Sequence, residues 1–72
     1  MNKKNNDPYL LDTEKCIENV GNKFDLVLIA AIRTRELNRG YTKKVKETNS
    51  LPIIALREIE AGHIGKEYLR KV

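Results

Sequence analysis

The chain has one cysteine, one histidine, one phenylalanine, one methionine and no tryptophan among 72 residues. The lone Cys16 excludes an internal disulfide framework and the multi-thiolate zinc patterns, and it suits a reducing compartment. With His63 as the only histidine, a zinc site of the usual protein-only kind is also excluded. Long apolar runs are missing. The longest, Leu26 to Ile32, has seven residues, where about 20 are needed to cross a bilayer. The first eight residues turn polar where a secretory leader needs its apolar stretch, so the expected location is cytoplasmic.

Catalytic patterns are equally scarce. His63 stands between Gly62 and Ile64, just past a helix end, and reads as a solvated turn histidine. Cys16 falls on an apolar helix face, where cysteine behaves as a small hydrophobe. Glu58 and Glu60 flank Ile59 on one helix and cannot face each other, so they read as solvated or paired with Arg57 or a partner's cation. The glycines at 62 and 65 form no phosphate-cradling pattern. No cofactor or metal is expected.

Leu, Ile, Val and Phe together make 20 of 72 residues, too many for a disordered chain yet few for a self-sufficient core. A chain of this size buries only about 60% of the surface its unfolded form exposes. The formal charge is +4, with a sequence pI near 9.4. That excess is local: residues 33–46 hold six cations and one anion, and the remainder is close to neutral. Any electrostatic role therefore belongs to one helix end and the loop after it.

The periodicity predicts an all-α single domain with three main helices, at about 13–20, 23–38 and 51–61, and a further short turn available in the tail. Residues 1–12 read as an arm, 13–64 as the helical domain and 65–72 as a short tail. In the first helix Thr13, Cys16, Ile17 and Val20 follow the i, i+3, i+4, i+7 spacing, with Asp12 or Thr13 as cap and Gly21 as stop. Asn22 is placed to cap the second, and Asp25 adds negative charge to its first turn. Gly40 ends it, with Arg33, Arg35 and Arg39 near its negative end. Tyr41 to Ser50 is a basic loop. Asn49 or Ser50 caps the third helix, Pro52 fits its first turn, and Gly62 ends it.

The second helix is the unusual one. Phe24, Leu26, Val27, Leu28, Ile29, Ala30, Ala31 and Ile32 surround its cylinder, because 100° per residue carries consecutive positions round every side. A helix apolar all round has to be covered all round, and this chain is too short to do so alone.

Two motifs carry a family resemblance. Asn22-Lys23-Phe24-Asp25-Leu26-Val27-Leu28-Ile29-Ala30-Ala31-Ile32-Arg33-Thr34-Arg35 resembles the signature segment of the omega subunit of bacterial DNA-directed RNA polymerase. Ile54-Ala55-Leu56-Arg57-Glu58-Ile59-Glu60-Ala61-Gly62 resembles that family's second motif, in the expected order. The resemblance implies a subunit without an active site. It would clamp onto the largest catalytic subunit, beta-prime, within a complex with alpha, beta and sigma, and aid its folding and assembly. It implies a helical core and partner surface made from Phe24, Leu26, Val27, Leu28, Ala30, Ala31, Arg33, Arg35, Ala55, Leu56, Arg57, Glu58 and Ile59. Direct sequence-specific contact with nucleic acid is not expected. Many members have Arg at the position of Ile32 and Ala at that of Thr34, so the basic cluster is shorter here. The guanosine tetraphosphate site that some relatives form with their N-terminus is not carried over. The other reading open to the sequence is a small basic nucleic-acid-binding regulator using residues 33–46, although the loop between the second and third helices is long for a helix-turn-helix.

Overall fold

The computed structural model describes residues 11–71; most of the expected arm and Val72 lie outside them. Within this range the chain is helical, with no strand among the described residues. Helices α1 (Thr13–Val20), α2 (Lys23–Asn38) and α3 (Leu51–Glu60) are followed by a 3-10 helix, Lys66–Lys71. No helix among the described residues is long and apolar enough to cross a membrane.

Local chemistry sets the helix ends. Asp12 caps α1, its carboxylate accepting from the Lys15 N–H at 3.0 Å, which settles the choice between Asp12 and Thr13. Asn22 caps α2 reciprocally. Its oxygen accepts from the Asp25 N–H at 2.9 Å, and its amide donates to the Asp25 carboxylate at 3.0 Å. Both long helices finish in the same six-residue wrap. After α2, the Gly40 N–H reaches the Leu37 carbonyl and the Tyr41 N–H the Glu36 carbonyl; after α3, Gly62 reaches Ile59 and His63 reaches Glu58. This wrap needs a left-handed residue after the cap, and Gly40 (φ 99°) and Gly62 (φ 82°) supply it. Of the two residues expected to cap α3, Ser50 takes the position. It makes no side-chain bond into the helix, and the Asn49 oxygen accepts from the Ser50 N–H instead.

Helix α2 is the axis of the fold, packing against α1, α3 and the 3-10 helix. Its inward side supplies Leu26 and Ile29, which meet Cys16 and Val20 of α1, Ile59 of α3, Ile64 and Tyr68. A second cluster, Leu37, Ile54 and Ala55, closes the far end of α2 against α3. Asn19 ties α1 to the end of α3, donating to the Ile59 and Glu60 carbonyls at 2.8 and 3.1 Å. The tail folds back further than a single optional turn. Its six-residue 3-10 helix packs on α2 and buries Tyr68.

The domain measures 36 × 26 × 15 Å. Two helix layers with axes about 8–10 Å apart fill a 15 Å thickness. Nothing in the described chain remains to cover the outer side of α2.

Candidate subunit interface

Two features of α2 define the site: a charged cluster on its inward face and an apolar stripe on its outward face. The inward face runs Leu26, Ile29, Arg33, Glu36 and Leu37, all buried. Arg33 and Glu58 are 2% and 0% exposed. This corrects two expectations from sequence. Arg33 does not belong with the exposed cations of the basic helix end among which its charge is counted, and Glu58 is neither solvated nor paired with Arg57.

The Arg33 guanidinium uses all five of its N–H donors. Its Nε donates to Glu58 Oε1, and Nη2 donates to Glu58 Oε2 at 3.0 Å and to the Thr42 carbonyl at 2.9 Å. Nη1 donates to Glu36 Oε1 at 3.2 Å and to the Tyr68 hydroxyl at 3.3 Å. The partners are satisfied in turn. Glu58 Oε2 accepts from the Lys44 N–H at 2.7 Å. Glu36 accepts from the Tyr68 hydroxyl at 2.7 Å and from Lys71 at 2.6 Å. Lys71 also sits 4.1 Å from the centre of the Tyr68 ring.

Arg33, Glu36 and Glu58 are buried and together carry one excess negative charge, which Lys71 balances from the surface, and the cluster joins α2, the loop, α3 and the 3-10 helix. Burial by itself would raise the Glu36 carboxyl, but the bonds from Lys71, Tyr68 and Arg33 outweigh it and bring the group down to about 2. Glu58 is also lowered, because Arg33 and the Lys44 N–H outweigh its burial. The bonds to Glu58 and Glu36 in turn raise Arg33, against the opposing effect of burial. Burial and the bond to Glu36 raise the Tyr68 phenol. At neutral pH the carboxylates and the guanidinium are therefore ionised while the Tyr68 phenol keeps its proton, and the cluster holds α2 and α3 in fixed register.

The two other charged residues of the second motif pair with each other, Arg57 meeting Glu60 at 3.2 Å, and Arg57 also pairs with Glu47 of the loop at 3.0 Å. Glu60 also accepts from the Asp12 N–H at 2.9 Å. Cys16 is enclosed, and burial, with Glu60 and Asp12 nearby, pushes its thiol up to about 11. It stays a neutral thiol and donates to the Leu56 carbonyl at 3.4 Å.

The outward face of α2 is open. Phe24 is 83% exposed, Val27 64% and Leu28 38%, and Ala31 is exposed beside them. Isolated exposed apolar residues are ordinary, but four in one stripe mark a surface that meets something. The stripe continues over Val27 and Ala31 into an open groove of about 560 Å³ between the three α-helices, floored by Leu26, Ala30 and Leu56. Of the residues named from the two motifs, Leu26, Ala55, Ile59, Arg33 and Glu58 are buried in this chain, Ala30, Leu56 and Arg57 are partly covered, and Phe24, Val27, Leu28, Ala31 and Arg35 are exposed.

The nucleic-acid alternative loses its first cation, since Arg33 faces inward. Arg35, Arg39, Lys43, Lys44 and Lys46 remain exposed. Sequence reasoning missed Glu36, Tyr68 and Lys71 as members of the cluster. The signal was present for Glu36, since positions 26, 29, 33 and 36 share one helical face and so put a cation and an anion among core residues.

The family model for RNA polymerase Rpb6 matches residues 15–65. The match runs from α1 to just past α3, taking in both motifs, the apolar stripe and the Arg33–Glu58 pair. The chain belongs to the RNA polymerase Rpb6 family and is a subunit type of the multi-subunit DNA-directed RNA polymerase.

Proposed function

We propose that the chain is an omega-type subunit of a bacterial RNA polymerase, binding the beta-prime subunit and promoting its folding and assembly into the core enzyme in the cytoplasm. It contributes no catalytic residue; the chemistry of nucleotide addition lies in the other chains. The observation that carries this reading is the outward face of α2, apolar through Phe24, Val27, Leu28 and Ala31 and left open by the described helices. A small subunit of this kind is half of a shared core, with the larger chain supplying the missing layer. The buried charge cluster supports the same reading. It spends the few polar side chains of the interior on fixing α2 against α3, so the outward face is presented as a rigid surface.

Affinity purification of the tagged chain from cells expressing the polymerase subunits tests the proposal. Beta-prime is expected in stoichiometric amount, retained through a high-salt wash because apolar burial is not screened. Recovery of nucleic acid alone, lost steeply as salt rises, would instead favour the regulator reading.

A further inference from the structure

The outward stripe of α2 is apolar at one end and cationic at the other. Phe24, Leu28, Ala31 and Arg35 fall within about 60° of one another around the helix at 3.6 residues per turn, and all four are exposed. Arg39 lies one turn beyond Arg35 and is exposed too. Neither arginine forms an ion pair with another described residue, while Arg33, about half a turn before Arg35 and so on the opposite side, is fully engaged. At the other end of the stripe stands Lys23, which is exposed and lines the groove. Asp25, two positions on from Lys23, is held by the Asn22 amide.

This layout selects among occupants. A second copy of the chain is a poor fit in either direction. Antiparallel pairing along the stripe brings Arg35 and Arg39 against Lys23, and parallel pairing sets Arg35 against Arg35, so like charges meet in both. A polyanion satisfies the arginines and leaves Phe24, Val27 and Leu28 in water. A protein segment that is apolar along Phe24 to Ala31 and acidic beside Arg35 and Arg39 satisfies both.

Building on the assignment to a polymerase subunit, we propose that the stripe and its groove receive one amphipathic segment of the large polymerase subunit. That segment runs in a single direction, set by acidic residues that pair with Arg35 and Arg39. Val27 and Arg35 are eight positions apart, about 12 Å along the helix axis, and this separates the apolar and acidic parts of the partner. The apolar part supplies most of the affinity, and the charged end supplies direction.

The test uses the assembled complex. A photo-crosslinking residue placed at position 27 or at position 35 is expected to label one segment of the large subunit, at apolar residues from position 27 and next to Asp or Glu from position 35. Arg35→Glu combined with Arg39→Glu is expected to weaken binding tenfold or more at low salt, with the loss shrinking as salt rises. Arg35→Lys is expected to retain binding, and circular dichroism of each variant checks that the fold is intact. Crosslinks to a second copy of the chain, or labelling at position 35 with no acidic residue nearby, would overturn the proposal. So would a double reversal that folds and binds as tightly as the parent. If beta-prime is retained but the double reversal changes nothing, the directional segment is wrong and the subunit assignment stands. If no polymerase subunit is retained by the parent chain, both fall.

Discussion

Replacing Glu58 by Gln removes one charge from the interior and almost no volume. Glu58 is 0% exposed and accepts three bonds, two from Arg33 and one from the Lys44 N–H. An amide has one accepting oxygen. Turned toward Lys44 and Arg33 Nη2, it sets its NH2 group against Arg33 Nε, donor facing donor. The guanidinium also loses the nearer of its two carboxylates while still enclosed. Removing one member of a buried ion pair costs about 3–5 kcal/mol, and the conservative amide belongs at about 3 kcal/mol. A 72-residue chain has roughly 4–11 kcal/mol of stability in all, so this one change removes a large share. At about 4–8 °C per kcal/mol for a domain of this size, the melting temperature should fall by about 12–24 °C. Thermal and urea melts followed by circular dichroism measure it. The companion double variant, Arg33→Met with Glu58→Leu, removes both charges and should regain much of the loss, since apolar pairs of similar volume often match or exceed a buried ion pair. A Glu58→Gln variant melting within about 4 °C of the parent would refute the claim that this cluster joins the helices.

Three further perturbations follow from the same geometry. Glu36 titrates near 2 in the folded chain, below its ordinary 4.5, so its stabilisation is complete above about pH 4.5 and is lost as pH falls through about 2. The contribution is about 3 kcal/mol, and a urea-melt series from pH 6 to pH 2 should show stability falling over that window, with Glu36→Gln flattening the fall. Tyr68→Phe removes the hydroxyl that donates to Glu36 and should cost about 1–2 kcal/mol by equilibrium unfolding, with Glu36 titrating higher. Asn22→Ala deletes the cap of α2 and should cost about 1 kcal/mol in the same assay, where no change would show that the cap is unimportant.

The helices were legible in the sequence because their ends are local. Asn22 and Asp25 are three positions apart, and Gly40 and Gly62 mark the exits from neighbouring residues alone. The all-round apolar character of α2 was legible too, and it pointed to a surface needing cover before any packing was known. The buried cluster was not. Arg33 and Glu58 are 25 positions apart, and a charged residue carries no sign in the sequence that it is enclosed. Arg33 sits at the end of an apolar run, just before Arg35, Arg39 and the basic loop, so its charge joined theirs in the count when its position on the helix set it apart. Tyr68 divides its roles, its ring packing in the core while its hydroxyl completes the coordination of Glu36 and Arg33. Long-range pairing of this kind becomes visible only when the helices are brought together.

The central claim is that the outward face of α2 is the surface through which this subunit meets the large polymerase chain. Leu28→Glu and Ala31→Arg, made separately, tests it most directly, because both residues are exposed in the free subunit and neither change should disturb its fold. Each would set an unpaired charge in a buried contact, at a cost of several kcal/mol. Quantitative co-purification with beta-prime should fall a hundredfold or more for both variants, while their melting temperatures stay near that of the parent. Undiminished recovery of beta-prime with both variants would contradict the claim.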